Sequence, residues 1–295
     1  MNLTNVNPVL RKELLVKMRG WKAAAMITIY LGILAIVAYF VMEMSIRNSM
    51  TNTLSADNFK AAYTALAVIQ FFLIIFIAPA LTSGAISGER ERQTLDILLS
   101  TKLPARSIIL GKLFASISQI ILLVVSTLPI FSIIFLFGGI TVLNLLQLFM
   151  FYIIVAITMG SIGIFFSTCL KKTTVSNVIT YGVVLLLVFG TIFISIFYVE
   201  LYAKQPSYGS YNRTTTLMYF NPLAGFGALI ADQFGVGSGG GMIVPGLSVG
   251  GKGASKYLWQ INAIIDLAIA VVLLALSSYK INPIRKRIFK RSNNN

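Results

Sequence analysis

Long apolar blocks separated by short charged connections dominate the chain. Six blocks reach the roughly 20 mostly apolar residues that a bilayer core about 30 Å thick requires of a helix. They are Ala23–Met42, Ala62–Thr82, Ile108–Phe137, Leu145–Cys169, Val175–Tyr198 and Leu258–Ser278. The first is longer than the apolar core of a signal peptide and lacks a following cleavage site, so it reads as a span. The pattern predicts an all-α integral membrane protein in one transmembrane domain, 1–295. Ahead of the first block, Leu10, Leu14, Met18 and Trp21 share one helical face while Arg11, Lys12, Lys17 and Arg19 lie largely off it. This predicts an amphipathic interfacial helix over 7–21, with Pro8 in its first turn. A long connection, 199–257, precedes the last block. Within it Tyr219–Ala231 is apolar but too short to cross, which suits a re-entrant or interfacial segment, and Gly235–Gly253 is glycine-rich and reads as flexible. No tandem repeat is visible. Pro79 and Pro129 predict kinks, and Gly84-x-x-x-Gly88 and Gly160-x-x-Gly163 predict close-packing faces.

Composition narrows the class. Hydrophobic residues make up 57% of the chain and charged residues 11%, which excludes both an ordinary water-soluble enzyme and a disordered chain. The 24 Lys and Arg exceed the 9 Asp and Glu, giving +15. Location explains the excess. Eighteen of the bases fall in the N-terminal stretch, the second-to-third and fourth-to-fifth connections, and the C-terminal stretch, against 6 on the other side. The positive-inside rule then places both termini in the cytoplasm of a multi-pass cell-membrane protein, and a nucleic-acid partner loses its support. The basic run Lys280–Arg291 reads as an anchor to lipid headgroups. The lone Cys169 cannot form an internal disulfide, and the absence of histidine removes His-based triads, HExxH zinc sites and His-ligated haem.

The connection between the second and third spans is the most informative segment. Ser87 is a candidate N-cap, with Glu89 and Glu91 in the first turn. Leu95, Leu98 and Leu99 form a short apolar face, and Pro104 suits the start of the next helix. The residues predict one short charged helix over 88–100, held under the membrane and exposed for docking on another protein; a merely solvated loop is the plainer alternative. Gly246–Gly253 approaches a phosphate-binding loop but ends in Gly253 where Ser or Thr would serve magnesium, and no strand precedes it. Asp266 reads as the only acidic or basic residue well inside a span. It is a candidate intramembrane polar site for a proton, cation or substrate, or else an interhelical hydrogen-bonding group.

The run Gly88-Glu-Arg-Glu-Arg-Gln-Thr-Leu-Asp-Ile-Leu-Leu-Ser-Thr-Lys-Leu-Pro104, followed by Ile109-Leu-Gly-Lys-Leu113, resembles the cytoplasmic signature of type 2 permeases of ATP-binding-cassette transporters. The opening Asn7–Glu13 and the dipeptide Asn221-Pro222 are similar to further features of that family, as is the six-span layout. Lys102-Leu103-Pro104 departs from the family's order, in which a proline more often precedes the leucine. The resemblance implies a permease subunit of an exporter that works by alternating access. It would pair with a second copy or a related permease, and with separate ATPase subunits that hold ATP and magnesium; this chain itself would carry no cofactor, metal or catalytic residue. Residues 88–100 would be the coupling helix, with Glu89, Arg92, Thr94, Leu95, Leu98 and Leu99 contacting the ATPase. A stand-alone secondary transporter or channel using Asp266, and a non-transporting membrane partner of an ATPase, are the alternatives.

Overall fold

A computed structural model describes residues 13, 20–48, 56–100, 104–136, 140–203, 216–234 and 257–281. Most of the described residues are helical, and none lies in a strand. Six helical stretches are long and apolar enough to cross a membrane. The first is α1, Trp21–Asn48, and the second α2, Ala56–Thr82. Two short helices follow, α3 (Ser87–Glu91) and α4 (Leu95–Ser100). The third span is α5 (Ala105–Ser126) continued by α6 (Leu128–Leu136), and the fourth is α7 (Val142–Cys169). The fifth comprises α8 (Thr173–Leu185), a π-helical turn Leu186–Gly190, and α9 (Thr191–Ala203). A 3₁₀ turn, Thr216–Phe220, leads into the short α10 (Pro222–Gln233), and α11 (Leu258–Ile281) is the last span. Most of the interfacial helix expected over 7–21, the glycine-rich stretch 235–253 and the C-terminal basic run lie outside the described residues.

The spans pack around α7, which touches α2, α5, α8 and α11. Its small residues explain this central place. A Cβ at Gly163 would lie 2.1 Å from Thr82 Oγ1 and 3.1 Å from the Ser83 backbone nitrogen, so only glycine lets the end of α2 come this close. Gly84 is nearly as constrained, with the Thr173 Cγ2 methyl 2.9 Å from a Cβ there, whereas Gly88 faces open space. Large apolar side chains such as Ile29, Ile36, Phe40, Val178 and Phe193 point outward from α1 and the fifth span. In a water-soluble protein they would be a liability; in a bilayer they meet lipid.

Two spans are interrupted. The third breaks at Thr127, two residues before Pro129, whose ring cannot donate to the preceding turn. The buried Thr127 hydroxyl donates to Val124 O at 2.7 Å and accepts from Gln70 Nε2 of α2 at 3.3 Å, so the break gives the Val124 carbonyl a donor and ties the third span to the second inside the bundle. At Pro79, by contrast, α2 continues to Thr82. The fifth span opens into its π turn where Asn221 Nδ2 donates to Val188 O at 2.9 Å and Thr191 Oγ1 at 2.7 Å. Asn221 also caps α10 through its side-chain oxygen, with Pro222 at the first helical position. Asn262 of α11 closes the knot by donating to Tyr219 O and Asn221 O. The Asn-Pro dipeptide is therefore a structural pin. The apolar segment 219–231 becomes the 3₁₀ turn and α10, which enters the bundle: Phe226 stacks on Phe71 at 4.5 Å and on Tyr152 at 6.4 Å.

Candidate functional site

The connection after α2 does not form one helix over 88–100. It breaks at Arg92–Thr94. Gln93 adopts φ 58, the left-handed conformation that a side chain disfavours by about 1–2 kcal/mol. Its N–H bonds Arg90 O at 3.1 Å and the Thr94 N–H bonds Glu89 O at 2.9 Å, so α3 ends in the 6→1 and 5→2 pair of a Schellman motif. Helical periodicity missed this stop because glycine, its usual marker, is absent. Ser87 is not the cap either: Ile86 holds that position without a side-chain bond, and Ser87 is the first helical residue.

Each end of α3 is tied to a neighbouring span. Ser167 Oγ of α7 accepts the N–H groups of Ile86 and Ser87 at 2.8 and 2.9 Å, meeting the open donors of the α3 N-terminus. Arg90 donates to Leu170 O at 2.7 Å and Thr168 O at 3.2 Å, so a cation closes the C-terminal end of α7. Glu91 accepts the Thr173 N–H at 2.8 Å and the Thr173 hydroxyl, so an anion closes the N-terminal end of α8. Glu89 Oε1 lies 2.9 Å from Lys112 Nζ of α5, and the Thr94 hydroxyl donates to the other Glu89 oxygen. Lys112 also meets Glu13 Oε1 at 3.0 Å, which joins the stretch before α1 to the same node. Three of the four consecutive charges Glu89, Arg90, Glu91 and Arg92 are therefore bonded within this protein, Glu91 while remaining exposed.

The electrostatics follow. Partial burial works to raise the Glu89 carboxyl, but the Thr94 hydroxyl, Lys112 and Arg92 outweigh it and hold the group below its ordinary range. The two Thr173 hydrogen bonds hold Glu91 below its ordinary range, with Lys172 adding to the effect. Lys112 is 6% exposed, although it sits just inside the third span. Its two carboxylate partners make that burial tolerable.

The leucines also turn inward. Leu95 is 7% exposed and belongs to an apolar cluster with Ile86, Ile109, Leu113, Ile117, Ile164 and Ile281, against which Leu99 packs. Leu98 is half-buried. The outward rim consists of Arg92, Gln93, Thr94, Asp96, Ile97 and Ser100, with Ile97 69% exposed. Of the expected contact residues, then, Arg92 and Thr94 face out, whereas Glu89 and Leu95 serve the internal junction. Sequence reasoning missed Ile97, Lys112 and the roles of Arg90 and Glu91 in tying α3 to the neighbouring spans. A lysine just inside an apolar span was the available signal for Lys112; nothing local marks the others, because their partners lie about 80 residues away along the chain. A groove of about 730 Å³ runs beside the rim, between α4, the end of α7 and the end of α11, with Lys171 and Lys280 on its walls.

Asp266 lies apart from this junction. It is 1% exposed in α11, one turn after Asn262, and its Oδ2 has no hydrogen-bond partner among the described residues. No described group of three or more Cys, Asp or Glu residues could hold a metal.

The signature of the ABC-2 family transporter proteins matches residues 7–293. The chain belongs to that family, and it is a multi-pass membrane permease of an ABC transporter. No curated protein sequence matches it.

Proposed function

We propose that this ABC-2 permease is the transmembrane half of an ATP-driven exporter, and that its Arg92–Ser100 rim seats a separate ATPase subunit. ATP and magnesium act in that subunit. Two permeases, identical or related, pair across the membrane, with both termini and the rim on the cytoplasmic side, as the distribution of basic residues favours.

One observation carries this reading: the segment that bears the rim is bonded to the ends of α7 and α8 and, through Glu89 and Lys112, to α5 and Glu13. A displacement of the rim by a partner cannot be absorbed locally. It moves α3, and α3 is tied to three spans, because packed interfaces shift as units rather than deform continuously. ATP-driven movement of the ATPase pair would in this way rock the spans and alternate access. Within the rim, Ile97 is the apolar anchor, and Arg92 and Asp96 set register and specificity.

The test is co-purification of the solubilised permease with its candidate ATPase, comparing wild type with Ile97→Asp and Arg92→Glu. The wild type should retain the ATPase, and both variants should lose most of it while unfolding at the wild-type temperature. Retention of the ATPase by both variants refutes the rim assignment. If the wild type itself retains none, a stand-alone carrier centred on Asp266 becomes the working assignment.

A further inference from the structure

A second groove, of about 560 Å³, opens between α5 and α11 near the end that carries the coupling segment. Its lining changes with depth. Arg106, in the first turn of α5, and Ser278 and Tyr279, in the last turn of α11, stand at the helix ends. About one turn deeper the walls are Ile109 and Leu110 on one side and Leu274 and Ala275 on the other. Arg106 is exposed, makes no ion pair with a described residue, and is the one charged group among the described lining residues. On the same face of α5, one and two turns further in, Leu110 and Phe114 are exposed apolar residues. Val271 and Val272 on α11 are likewise exposed. The groove therefore faces the bilayer, with a guanidinium at the headgroup level and hydrocarbon below it.

We propose that this groove binds an anionic phospholipid, with Arg106 on the phosphate and an acyl chain between α5 and α11. Charge complementarity selects the occupant. A guanidinium at a membrane border, without an ion pair among the described residues, presents a planar fork of donors that suits phosphate oxygens, and the strip beneath it has the polarity order of a lipid. A partner helix would leave the guanidinium desolvated and unpaired. The position gives the lipid a function. α5 begins just after the coupling segment, and Ile281, two residues beyond Tyr279, packs in the same cluster as Leu95. A lipid holding α5 to α11 here braces the junction that carries the rim.

The experiment uses the full-length chain purified in mild detergent and then delipidated. It is offered phosphatidylglycerol or phosphatidylcholine in mixed micelles at 0.5 M salt, which screens long-range attraction to the bases of the N- and C-terminal stretches. Lipids retained per chain are counted by native mass spectrometry. One phosphatidylglycerol per chain should be held about fivefold more tightly than phosphatidylcholine, the factor that a single basic residue at an anionic surface supplies. Arg106→Gln should abolish the preference, and Ala275→Trp, which fills the apolar strip but leaves the charge, should lower retention of both lipids. Both variants should unfold at the wild-type temperature; if Ala275→Trp does not fold, Arg106→Gln, at an exposed position, decides alone. Equal retention of the two lipids by the wild type, or an unchanged preference in Arg106→Gln, overturns the proposal. So does competition by glycerol phosphate as effective as that of the lipid, since the site would then bind a soluble phosphate.

Discussion

Replacing Lys112 with Met removes the ammonium that joins three chain segments while keeping much of its apolar stem. In the wild type Nζ is 2.9 Å from Glu89 Oε1 and 3.0 Å from Glu13 Oε1; the lysine side chain is 7% exposed, and those of Glu89 and Glu13 are 31% and 24% exposed. Removing one member of a fully buried pair destabilises by about 3–5 kcal/mol. An exposed pair is worth at most about 1 kcal/mol. Here the lysine is buried but the carboxylates retain some water, so Lys112→Met should destabilise by about 2 kcal/mol, between these limits. Glu89→Gln should be milder, about 1 kcal/mol, because Glu13 still pairs with the lysine and the Thr94 hydroxyl can still donate to the amide oxygen. The double variant should be more stable than the sum of the two losses by at least about 0.5 kcal/mol, since Lys112→Met leaves no ammonium for Glu89 to pair with. The assay is equilibrium unfolding of the purified chain by titrating denaturing detergent into mixed micelles. If the two changes add to within about 0.3 kcal/mol, or Lys112→Met is as stable as the wild type, the node is not the joint described here.

The same titration separates the two faces of α4: Leu95→Ala should destabilise by about 2–3 kcal/mol, whereas Ile97→Ser should leave stability unchanged, because only Leu95 is packed within this chain. Gly163→Ala should destabilise by at least about 1–3 kcal/mol, since its methyl meets Thr82 Oγ1 and the Ser83 backbone. Gly88→Ala, with open space at the Cβ and a helical backbone, should be neutral or stabilising by up to about 1 kcal/mol. Glu89 and Glu91 both titrate below their ordinary value of 4.5 in the fold, so their contribution is complete above that pH and is lost as pH falls through the lowered values. The wild type should thus lose stability below about pH 4.5 more steeply than Glu89→Gln/Glu91→Gln, with parallel curves between pH 6 and 8. Parallel curves in acid as well would contradict the hydrogen-bond assignments of both carboxylates.

What the sequence determined by itself follows from the bilayer. A membrane forces each crossing to satisfy its own backbone, so apolar blocks of sufficient length translate directly into helices. The six blocks, their order and the class of protein were legible for that reason, and the second-to-third connection stood out because so charged a run cannot lie in lipid. The Asn221-Pro222 dipeptide stood out only through its family resemblance; its role as the cap of α10 came from the structure. What only the tertiary structure decided is which way the side chains of the connection point. Glu89, Arg90 and Glu91 look like a solvated charged face in sequence. They are bonded to this protein instead because the ends of α7 and α8 and the Lys112 ammonium arrive beside them from distant parts of the chain. Leu95 and Ile97 are similar in hydrophobicity and two residues apart. The break at Gln93 and the packing of Ile86, Ile164 and Ile281 bury the first and leave the second in the open. Periodicity could not distinguish them, because burial depends on the opposing surface, and that surface is assembled from spans that meet only in the folded bundle.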